Sequence, residues 1–427
     1  MKIRPVEPIS QPLKARVRVP GSKSITQRAL VCAALARGKS ILRGALQSED
    51  PELLAQALKK IGVKIETAQE EYRLEGLGGK PLLSASEVFM GNNGTGARFF
   101  LALACLGEGG PLLLTGTKRL QERPVKPLIE SLQAWGARIE YLQQEGFLPV
   151  KIWGGGLRGG EVELSVAKSS QFLSALLLVG PYTREPAQIR LVSPLVSRPY
   201  VDLTIAVMQA FGAEIEEEAA VFKVAPKPYQ AREYEIEGDA SSASYFLAAA
   251  ALVGGEVTVE NLPPQSLQGD AAFAGLLSRM GCEVSYEKGV TVKREPSRPL
   301  KGIDVNMGRY PDLVPTLAVV AARAQGKTHI RGVPHLRYKE TDRLRAVATE
   351  LAKCGARVEE LEDGLIIEGK DRLCGAEIET YEDHRMAMAF AILGLVTKGI
   401  VIRNPDCVAK SFPNFWQVLE SLYQASS

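Results

Sequence analysis

A unit of about one sixth of the chain recurs six times along these 427 residues, and this repetition constrains the possible folds more than any other feature. One signature, an apolar residue, three residues, Gly, a small residue, any residue and then Val or Ile, has its glycine at Gly62, Gly136, Gly212, Gly281 and Gly355, at spacings of 74, 76, 69 and 74 residues. A second signature, alternating apolar residues followed by a turn and a small-residue helix, occurs six times, as RVRVPGSKSITQ, EVFMGNNGTGAR, EVELSVAKSSQF, EYEIEGDASSAS, GIDVNMGRYPDL and AEIETYEDHRMA.

Each unit is predicted to form a strand, a helix, a strand, a helix and then one or two strands. The first helix is rich in Ala and Leu, as in ALVCAALA and YFLAAAAL, so we expect it to be buried on nearly all sides. The second is amphipathic, as in ETDRLRAVATELAKCG, and ends at a glycine that supplies a left-handed cap. We therefore predict an α/β (α+β) fold of two similar lobes, three units each, with helices inside and sheets outside, and a hinge near VAPKPYQAREYEIEGD.

Composition restricts the class of protein. The chain is 45% hydrophobic and 24% charged, which is typical of globular domains, and has neither a signal-like N-terminus nor a stretch long enough to span a membrane, so we expect a cytoplasmic protein. Its six cysteines form no CxxC pair and are predicted to be free thiols. A net charge of +3 argues against nucleic-acid binding, so any anion site must be local. GxxxxGK[ST] and a strand-linked GxGxxG are absent, which disfavours nucleotide cofactors.

Residues suited to chemistry gather near the starts of the predicted helices, where unpaired backbone N–H groups favour anions. They are Lys23, Ser24, Arg28, Asn92, Gly94, Thr95, Arg98, Arg123, Lys168, Ser169, Ser170, Gln171, Ser197, Arg198, Tyr200, Asp312, Arg337, Lys339, Glu340, Asp342, Arg343, Asp383, His384, Arg385 and Lys410. Singly, many have a purely structural explanation. Ser169, Ser197, Asp239 and Asp312 fit simple N-caps, Glu340 and Arg343 fit a solvated helix pair, and Lys126 and Lys339 fit surface lysines.

Arg28, Arg98 and Arg385 resist that explanation, because each lies within the first turns of an apolar helix and a buried guanidinium needs partners. Several converging arginines predict an anionic ligand. A substrate pair with two phosphates and two carboxylates carries roughly five to six negative charges and would require such a cluster. Asp312, Glu340 and Asp383 lie among these cations, which indicates proton transfer as well as anion binding.

At these residues the chain resembles the 5-enolpyruvylshikimate-3-phosphate synthase family over nearly its whole length. The motifs that carry the resemblance are PGSKSITQRAL, SSQFLSALLL, SRPYVDLT, GDASSASYFLAAAA, YKETDRL, DHRMAMAF and CVAKSFPNF. The resemblance implies a two-lobed enolpyruvyl-transferase fold of six βαβαββ repeats, with the reactants between the lobes. Residues 20–237 would form the N-terminal lobe, and residues 1–19 plus 238–427 the C-terminal lobe.

The resemblance also implies an activity. The 5-hydroxyl of shikimate 3-phosphate attacks C2 of phosphoenolpyruvate while C3 is protonated, and the tetrahedral intermediate then loses inorganic phosphate. No metal, no other cofactor and no nucleic-acid or membrane partner is implied, the family is the target of glyphosate, and a monomer is expected.

Family roles transfer onto matching positions of this sequence. Shikimate 3-phosphate would be held by Lys23, Ser24, Arg28, Ser169, Ser170, Gln171, Ser197, Tyr200, Asp312 and Lys339. Phosphoenolpyruvate would be held by Lys23, Asn92, Gly94, Arg123, Gln171, Glu340, Arg343, Arg385 and Lys410. The implied catalytic residues are Lys23, Asp312, Glu340 and His384, with Asp312 the preferred base at the 5-hydroxyl and Glu340 the candidate for proton transfer at C3. The resemblance leaves the division of steps between these acids open.

The sequence departs from the family pattern at two places. The common GNAGTAMRP is GNNGTGARF here, which bears on the phosphoenolpyruvate pocket and on glyphosate, and His335 stands where many members have Asn. Either His335 replaces a ligand contact or it is a surface histidine.

The sequence disfavours two rival functions. The related UDP-N-acetylglucosamine enolpyruvyl transferase typically has a reactive Cys where this chain has Lys118. A six-repeat DNA clamp would need basic, smooth inner helices rather than acids and serines at helix starts.

Overall fold

Every repeat of the sequence forms a strand followed by a buried helix in the computed structural model, which describes residues 2–424. The described chain begins with β1 (Ile3–Val6). The first repeat contains β2 (Leu13–Val17), α1 (Lys23–Leu35), β3 (Arg37–Arg43), α2 (Glu49–Lys60), β4 (Lys64–Ala68) and β5 (Glu71–Leu77). The second contains β6 (Leu82–Leu83), β7 (Glu87–Phe89), α3 (Gly94–Ala104), β8 (Glu108–Gly109), β9 (Leu112–Thr115), α4 (Lys118–Gln121), α5 (Lys126–Ala134), β10 (Arg138–Tyr141) and β11 (Val150–Trp153). The third contains β12 (Gly160–Leu164), α6 (Gln171–Val179), β13 (Ala187–Leu191), α7 (Arg198–Ala210), β14 (Ile215–Glu218) and β15 (Val221–Val224).

The second half of the chain repeats the pattern three more times. The fourth repeat contains β16 (Glu233–Glu235), α8 (Ala240–Val253), β17 (Gly255–Val259), α9 (Phe273–Arg279), β18 (Glu283–Ser285) and β19 (Val290–Arg294). The fifth contains β20 (Asp304–Asn306), α10 (Val314–Ala321), β21 (Lys327–Arg331), α11 (Arg343–Lys353), β22 (Arg357–Glu360) and β23 (Leu365–Glu368). The sixth contains β24 (Glu377–Ile378), α12 (His384–Gly394), β25 (Ile400–Arg403) and α13 (Phe415–Gln424). The mixed α/β class predicted from the alternation is confirmed.

The sheets follow the repeats, with two exchanges of strands. The larger ones have the orders β16-β3-β5-β4, β10-β11-β9-β7, β12-β13-β15-β14, β18-β19-β17-β2, β20-β21-β23-β22 and β1-β25-β24. The strand β2 leads the first repeat but pairs in parallel with β17, from Leu13 opposite Gly255 to Val17 opposite Val259. The strand β16 leads the fourth repeat but pairs in parallel with β3. The first strands of repeats one and four therefore lie in each other's sheets.

The chain divides into two compact units. We call Gly21–Ile236 the N-terminal unit and Met1–Pro20 together with Glu237–Ser427 the C-terminal unit. Each has its own hydrophobic core. In the N-terminal unit the buried helices α1, α3 and α6 contact one another, and in the C-terminal unit α8, α10 and α12 do the same. The prediction that the Ala/Leu-rich helices are buried is confirmed.

The glycines that follow the amphipathic helices have the predicted left-handed conformation, with φ of +103° at Gly62, +94° at Gly136, +90° at Gly212, +108° at Gly281 and +78° at Gly355. All six cysteines are free thiols. None of the helices within residues 2–424 is both long and apolar enough to cross a membrane.

Candidate active site

A buried cluster of two arginines and three acids forms in the C-terminal unit, where the starts of α11 and α12 meet the turn before α10. Arg343 is 1% exposed and donates hydrogen bonds to three carboxylates. Its Nη1 lies 2.8 Å from Asp312 Oδ1, its Nη2 2.7 Å from Glu340 Oε2 and its Nε 2.7 Å from Asp383 Oδ2. Arg385 Nη2 donates to the other oxygen of Asp312 at 2.7 Å. We call Asp312, Glu340, Arg343, Asp383 and Arg385 the carboxylate–arginine cluster.

This geometry corrects two structural explanations that the sequence allowed. Glu340 and Arg343 are not a solvated helix pair, because the side chains are 10% and 1% exposed and Arg343 binds two further acids. Asp312 is not an N-cap, because it lies inside the 3₁₀ turn Pro311–Leu313 and both of its carboxylate oxygens accept bonds from arginines. The two guanidinium groups are therefore joined through one shared carboxylate.

Three cations set the charge state of Asp312. Burial by itself would raise the pKa of this carboxyl group, but Arg385, Lys339 and Arg343 outweigh burial and hold the pKa well below its usual range. Lys339 contributes from a distance of 3.7 Å between its Nζ and Asp312 Oδ1. Conversely, burial disfavours the charge of Arg343, but Asp383, Glu340 and Asp312 together raise its pKa. Asp312 is thus ionised and able to accept a proton.

Asp383, His384 and Arg385 form the capped start of α12. Asp383 is the N-cap, and its Oδ1 accepts a hydrogen bond from the backbone N–H of Arg385 at 3.0 Å. His384 is fully buried, with Nδ1 3.6 Å from Asp383 Oδ1. The same carboxylate that caps α12 binds Arg343, so the cap also links α12 to α11.

Asp270 is a further acid next to this cluster. It is 4% exposed, and its carboxylate accepts a hydrogen bond from the Ser241 hydroxyl at the start of α8. Burial is the largest cause that raises the pKa of Asp270, to about 6, with the nearby charge of Asp312 adding to it. Asp239, one of the N-cap candidates, does cap α8, because its Oδ1 accepts from the Ser242 N–H at 2.7 Å.

His335 is not the surface histidine that one interpretation favoured. It is 4% exposed within the 3₁₀ turn Pro334–Tyr338. Burial, with the positive charge of Lys339, lowers its pKa to about 4, so it is neutral near pH 7.

Lys23 begins α1 in the N-terminal unit and is paired with an acid. Its Nζ lies 3.0 Å from Asp50 Oδ2, with the two side chains 12% and 3% exposed. The backbone carbonyl of Asp50 accepts a bond from the Asn93 amide at 2.7 Å, and the same amide nitrogen donates to Gln27 Oε1 at 2.8 Å. Asn93 thereby ties α2 and α1 to the start of α3, where its Oδ1 caps Gly96 N–H at 2.8 Å.

Arg28 is buried as predicted, and neutral oxygen atoms surround it. Its guanidinium donates to Thr204 Oγ1 at 2.7 Å, to Ser24 O at 2.8 Å and to Tyr200 O at 3.1 Å. Burial is the largest effect on this group and lowers its pKa to about 10, so it remains charged at neutral pH. These bonds bring three of the predicted ligands of shikimate 3-phosphate together, from α1 and α7.

Arg98 and Gln171 join α3 to α6. Arg98 is 3% exposed and donates to the side-chain oxygen of Gln171 and, at 2.9 Å, to Pro124 O. Gln171 in turn donates through Nε2 to Thr95 Oγ1 at 2.8 Å, and its backbone N–H is bound by Ser169 Oγ at 3.2 Å.

Arg123 lies against the first turn of α3. A Cβ atom at Gly94 would stand 2.4 Å from Arg123 Cζ, so a larger residue there would displace the guanidinium from its present position. Arg123 Nη1 is also 3.5 Å from Asn92 O. A cation and a helix N-terminus both favour a negative charge, so this junction is suited to bind an anion.

Four more of the residues considered in the sequence lie at other positions of the two units. Ser170 precedes α6 and is buried, and Lys410 is buried at the end of the 3₁₀ turn Pro405–Lys410. Ser197 stands at the N-cap position of α7, as predicted, with a left-handed φ of +53°, but its side chain makes no capping bond. Lys126 is a surface lysine paired with Glu145.

Sequence reasoning missed three buried acids. Asp50 pairs with the predicted Lys23, and Asp270 lies near the predicted Asp312. Glu350 binds the segment that leads to His384 and Arg385. Asp50 lies in the first turn of an amphipathic helix, where an acid usually faces solvent, and no local signal marks Asp270. Among residues 2–424, no group of three or more His, Cys, Asp or Glu side chains is arranged to hold a metal ion.

The family model of EPSP synthase (3-phosphoshikimate 1-carboxyvinyltransferase) matches residues 8–419. The chain is 44% identical over 412 residues to the 3-phosphoshikimate 1-carboxyvinyltransferase of Trichormus variabilis, covering 96% of each protein. It is 43% identical over 424 residues to that of Aliivibrio salmonicida, covering 98% of each. A solved structure of EPSP synthase from Acinetobacter baumannii aligns with a TM-score of 0.82 at 30% identity, over 99% of this chain and 98% of that one.

These matches define an enzyme class, the carboxyvinyl transferases, and within it a particular family. The chain belongs to the EPSP synthase (3-phosphoshikimate 1-carboxyvinyltransferase) family. The resemblance read from its motifs is confirmed, and the two rival functions lose their support.

Proposed function

We propose that this chain transfers the enolpyruvyl group of phosphoenolpyruvate to the 5-hydroxyl of shikimate 3-phosphate and releases inorganic phosphate. The family is a transferase family of the shikimate pathway, which leads to the aromatic amino acids. The single observation that carries the proposal is the sharing of Asp312 by two buried guanidinium groups, those of Arg343 and Arg385. It joins an anion-binding pair to an ionised acid.

The substrate assignments divide the binding residues between the two units. For shikimate 3-phosphate we assign Lys23, Ser24, Arg28, Ser169, Ser170, Gln171, Ser197, Tyr200, Asp312 and Lys339. For phosphoenolpyruvate we assign Lys23, Asn92, Gly94, Arg123, Gln171, Glu340, Arg343, Arg385 and Lys410.

Competition for the arginines offers a way to activate Asp312. The phosphate and carboxylate of phosphoenolpyruvate are stronger anions for Arg343 and Arg385 than a single carboxylate is, so binding draws the guanidinium groups toward the substrate. Asp312 then loses part of the positive charge that holds its pKa low, and its affinity for a proton rises. An acid that gains basicity only when substrate is bound is suited to accept the proton of the 5-hydroxyl.

The remaining steps are proton transfers. The 5-hydroxyl oxygen forms a bond to C2 and gives its proton to Asp312, while C3 takes a proton from Glu340, which must be protonated at this step, with Lys23 and His384 as assisting groups. In the second step C3 returns a proton to Glu340, the C2–O bond to phosphate breaks, the double bond returns and Asp312 releases its proton to solvent. Phosphate leaves with the electron pair of that bond, so no electron acceptor takes part.

Phosphate release tests the proposal. The purified chain is mixed with phosphoenolpyruvate and either shikimate 3-phosphate or UDP-N-acetylglucosamine, and inorganic phosphate is measured. We expect release with shikimate 3-phosphate alone. Release only with the nucleotide sugar, or with neither acceptor, would contradict the proposal.

We also expect the enzyme to act as a cytoplasmic monomer without a nucleic-acid or membrane partner. Light scattering on a size-exclusion column measures the mass in solution, and the 46.2 kDa of one chain is the expected value.

A further inference from the structure

The turn before α12 has an unfavourable backbone conformation at two successive residues. Tyr381 has a φ of +53° and Glu382 a φ of +56°. The Asp383 N–H donates to Thr380 O at 2.8 Å, which closes a four-residue turn around them. Positive φ at both central positions is the pattern of a type I′ turn, where Gly, Asn and Asp are usual. Tyr and Glu adopt it only where the surrounding structure holds them.

Glu350 of α11 supplies contacts that hold this turn. Its carboxylate is fully buried, and Oε1 accepts a hydrogen bond from the Tyr381 hydroxyl at 2.7 Å. Oε2 accepts from the Glu379 backbone N–H at 3.1 Å. Lys353, one turn further along α11, donates to both oxygens at 2.9 and 2.8 Å. A buried acid on an amphipathic helix is thus bound to the residues that enter the turn.

Helix α11 contacts this segment at two points. Arg343 and Glu350 are seven residues apart in one helix, so they lie on the same face, two turns from each other. Arg343 binds Asp383 at the end of the turn, and Glu350 binds Glu379 and Tyr381 at its beginning. The segment 379–383 leads directly to His384 and Arg385, so its path sets where these two side chains stand.

We propose that Glu350 is a positioning residue for the reaction: through Tyr381 and Glu379 it holds the left-handed turn that aligns Arg385 with Asp312. This inference rests on the proposed function and assigns to it a residue that touches neither substrate. The competing explanation is that Glu350 only stabilises α11 through its pair with Lys353.

The first variant is Glu350→Gln. An amide keeps the size of the side chain but is uncharged, and its NH₂ group can only donate. The Tyr381 hydroxyl must therefore reverse its bond, and both contacts to the turn lose the strength that a carboxylate gives them. We expect a higher KM for phosphoenolpyruvate together with a lower kcat, with kcat/KM reduced by about 10- to 100-fold, because small displacements of positioning groups have effects of this size. The thermal unfolding midpoint, measured beside the kinetics, shows whether the variant is folded.

Two matched variants separate the explanations. Lys353→Met removes the partner of Glu350 on its own helix and leaves the contacts to the turn, so we expect near wild-type kcat/KM. Glu382→Gly, added to Glu350→Gln, places at an exposed position a residue that adopts positive φ readily. We expect this second change to recover most of the lost kcat/KM, which a role confined to α11 does not predict.

Any one of three kinetic results overturns the positioning role. They are wild-type kinetics in Glu350→Gln, a loss of kcat/KM in Lys353→Met equal to that in Glu350→Gln, and no recovery when Glu382→Gly is added. If Glu350→Gln does not fold, Tyr381→Phe removes one hydroxyl alone, and unchanged kcat/KM in that variant overturns the role as well.

A crystal structure of Glu350→Gln tests the turn without any assay. We expect Tyr381 and Glu382 to leave positive φ and the Arg385–Asp312 bond to be lost, and their retention overturns the inference. A wild-type protein that releases no phosphate refutes the proposed function instead, and leaves this structural test in place.

Discussion

Arg28 and Arg343 are each 1% exposed, yet the two units surround them differently. Arg28 in the N-terminal unit is held by a hydroxyl and two backbone carbonyls, and burial lowers its pKa. Arg343 in the C-terminal unit is held by three carboxylates, which raise its pKa. Neutral partners orient Arg28 and leave its full charge for a ligand, whereas acidic partners neutralise Arg343 and link it to the acids to which we assign proton transfer. The comparison supports the proposal that the N-terminal unit binds anions and that the C-terminal unit also transfers protons.

The largest effect should come from an acid of the C-terminal cluster. Asp312→Asn keeps the shape of the side chain but removes the proton acceptor, and we expect kcat to fall by about 10²- to 10⁴-fold. Asp50→Asn is the matched change in the N-terminal unit, where the acid acts through Lys23, and should lower kcat less. Steady-state phosphate release measures both, and circular dichroism checks that they are folded. Full turnover in Asp312→Asn would end its assignment as the base.

The second prediction compares the two arginines by stability. Arg343→Met leaves the buried Asp383 and the partly buried Glu340 and Asp312 without their shared cation. We expect a loss of about 3–5 kcal/mol in the free energy of unfolding. Arg28→Met leaves only neutral acceptors unsatisfied and should cost about 1–3 kcal/mol. Urea denaturation of both variants measures the difference. Equal losses would show that the charge of the partners is unimportant and would remove the basis of the comparison.

The repeats were predictable from sequence because alternation, helical periodicity and capping glycines are local signals. The burial of Arg28, Arg98 and Arg385 was also predictable, since each lies in an Ala/Leu-rich helix. The groups that bind these charged side chains could not be predicted from the sequence. The bond between Lys23 and Asp50 joins two helices, and the bonds of Arg343 join segments that lie 31 and 40 residues apart. Asp270 and Glu350 sit in sequence contexts typical of exposed acids, so only the packing of distant segments gives them a role.

The third prediction concerns the neutral network of the N-terminal unit, at the departure GNNGTGARF. Asn93→Ala removes a helix cap and the bonds to Gln27 and Asp50, and should cost about 1–3 kcal/mol in the free energy of unfolding. Gly96→Ala should also destabilise, because its Cβ would stand 2.4 Å from Asn93 Nδ2 and 2.8 Å from Met90 Cε.

Because Asn93 and Gly96 fit each other, the double variant should lose less than the sum of the single losses, by about 1 kcal/mol. A double-mutant cycle by urea denaturation measures this coupling. Additive losses would mean that Asn93 and Gly96 contribute independently to stability. Coupling would show that these two residues at the start of α3 are fitted to each other in shape.

The smallest effect, in the C-terminal unit, depends on pH. The pKa of Asp270 is about 6 in the folded protein and about 4 in an unfolded chain, so between these values the folded state binds more protons. Stability contributed by this group is therefore present below pH 4 and declines by about 1 kcal/mol per pH unit up to pH 6.

Asp270→Asn cannot ionise, so its advantage in stability over wild type should grow between pH 4 and pH 6 and then stay constant. Ser241→Ala removes the hydroxyl that lowers the pKa of Asp270 and should extend the upper limit of the window to higher pH. Stability curves of wild type and Asp270→Asn that run parallel from pH 4 to pH 7 would show that folding does not raise the pKa of Asp270.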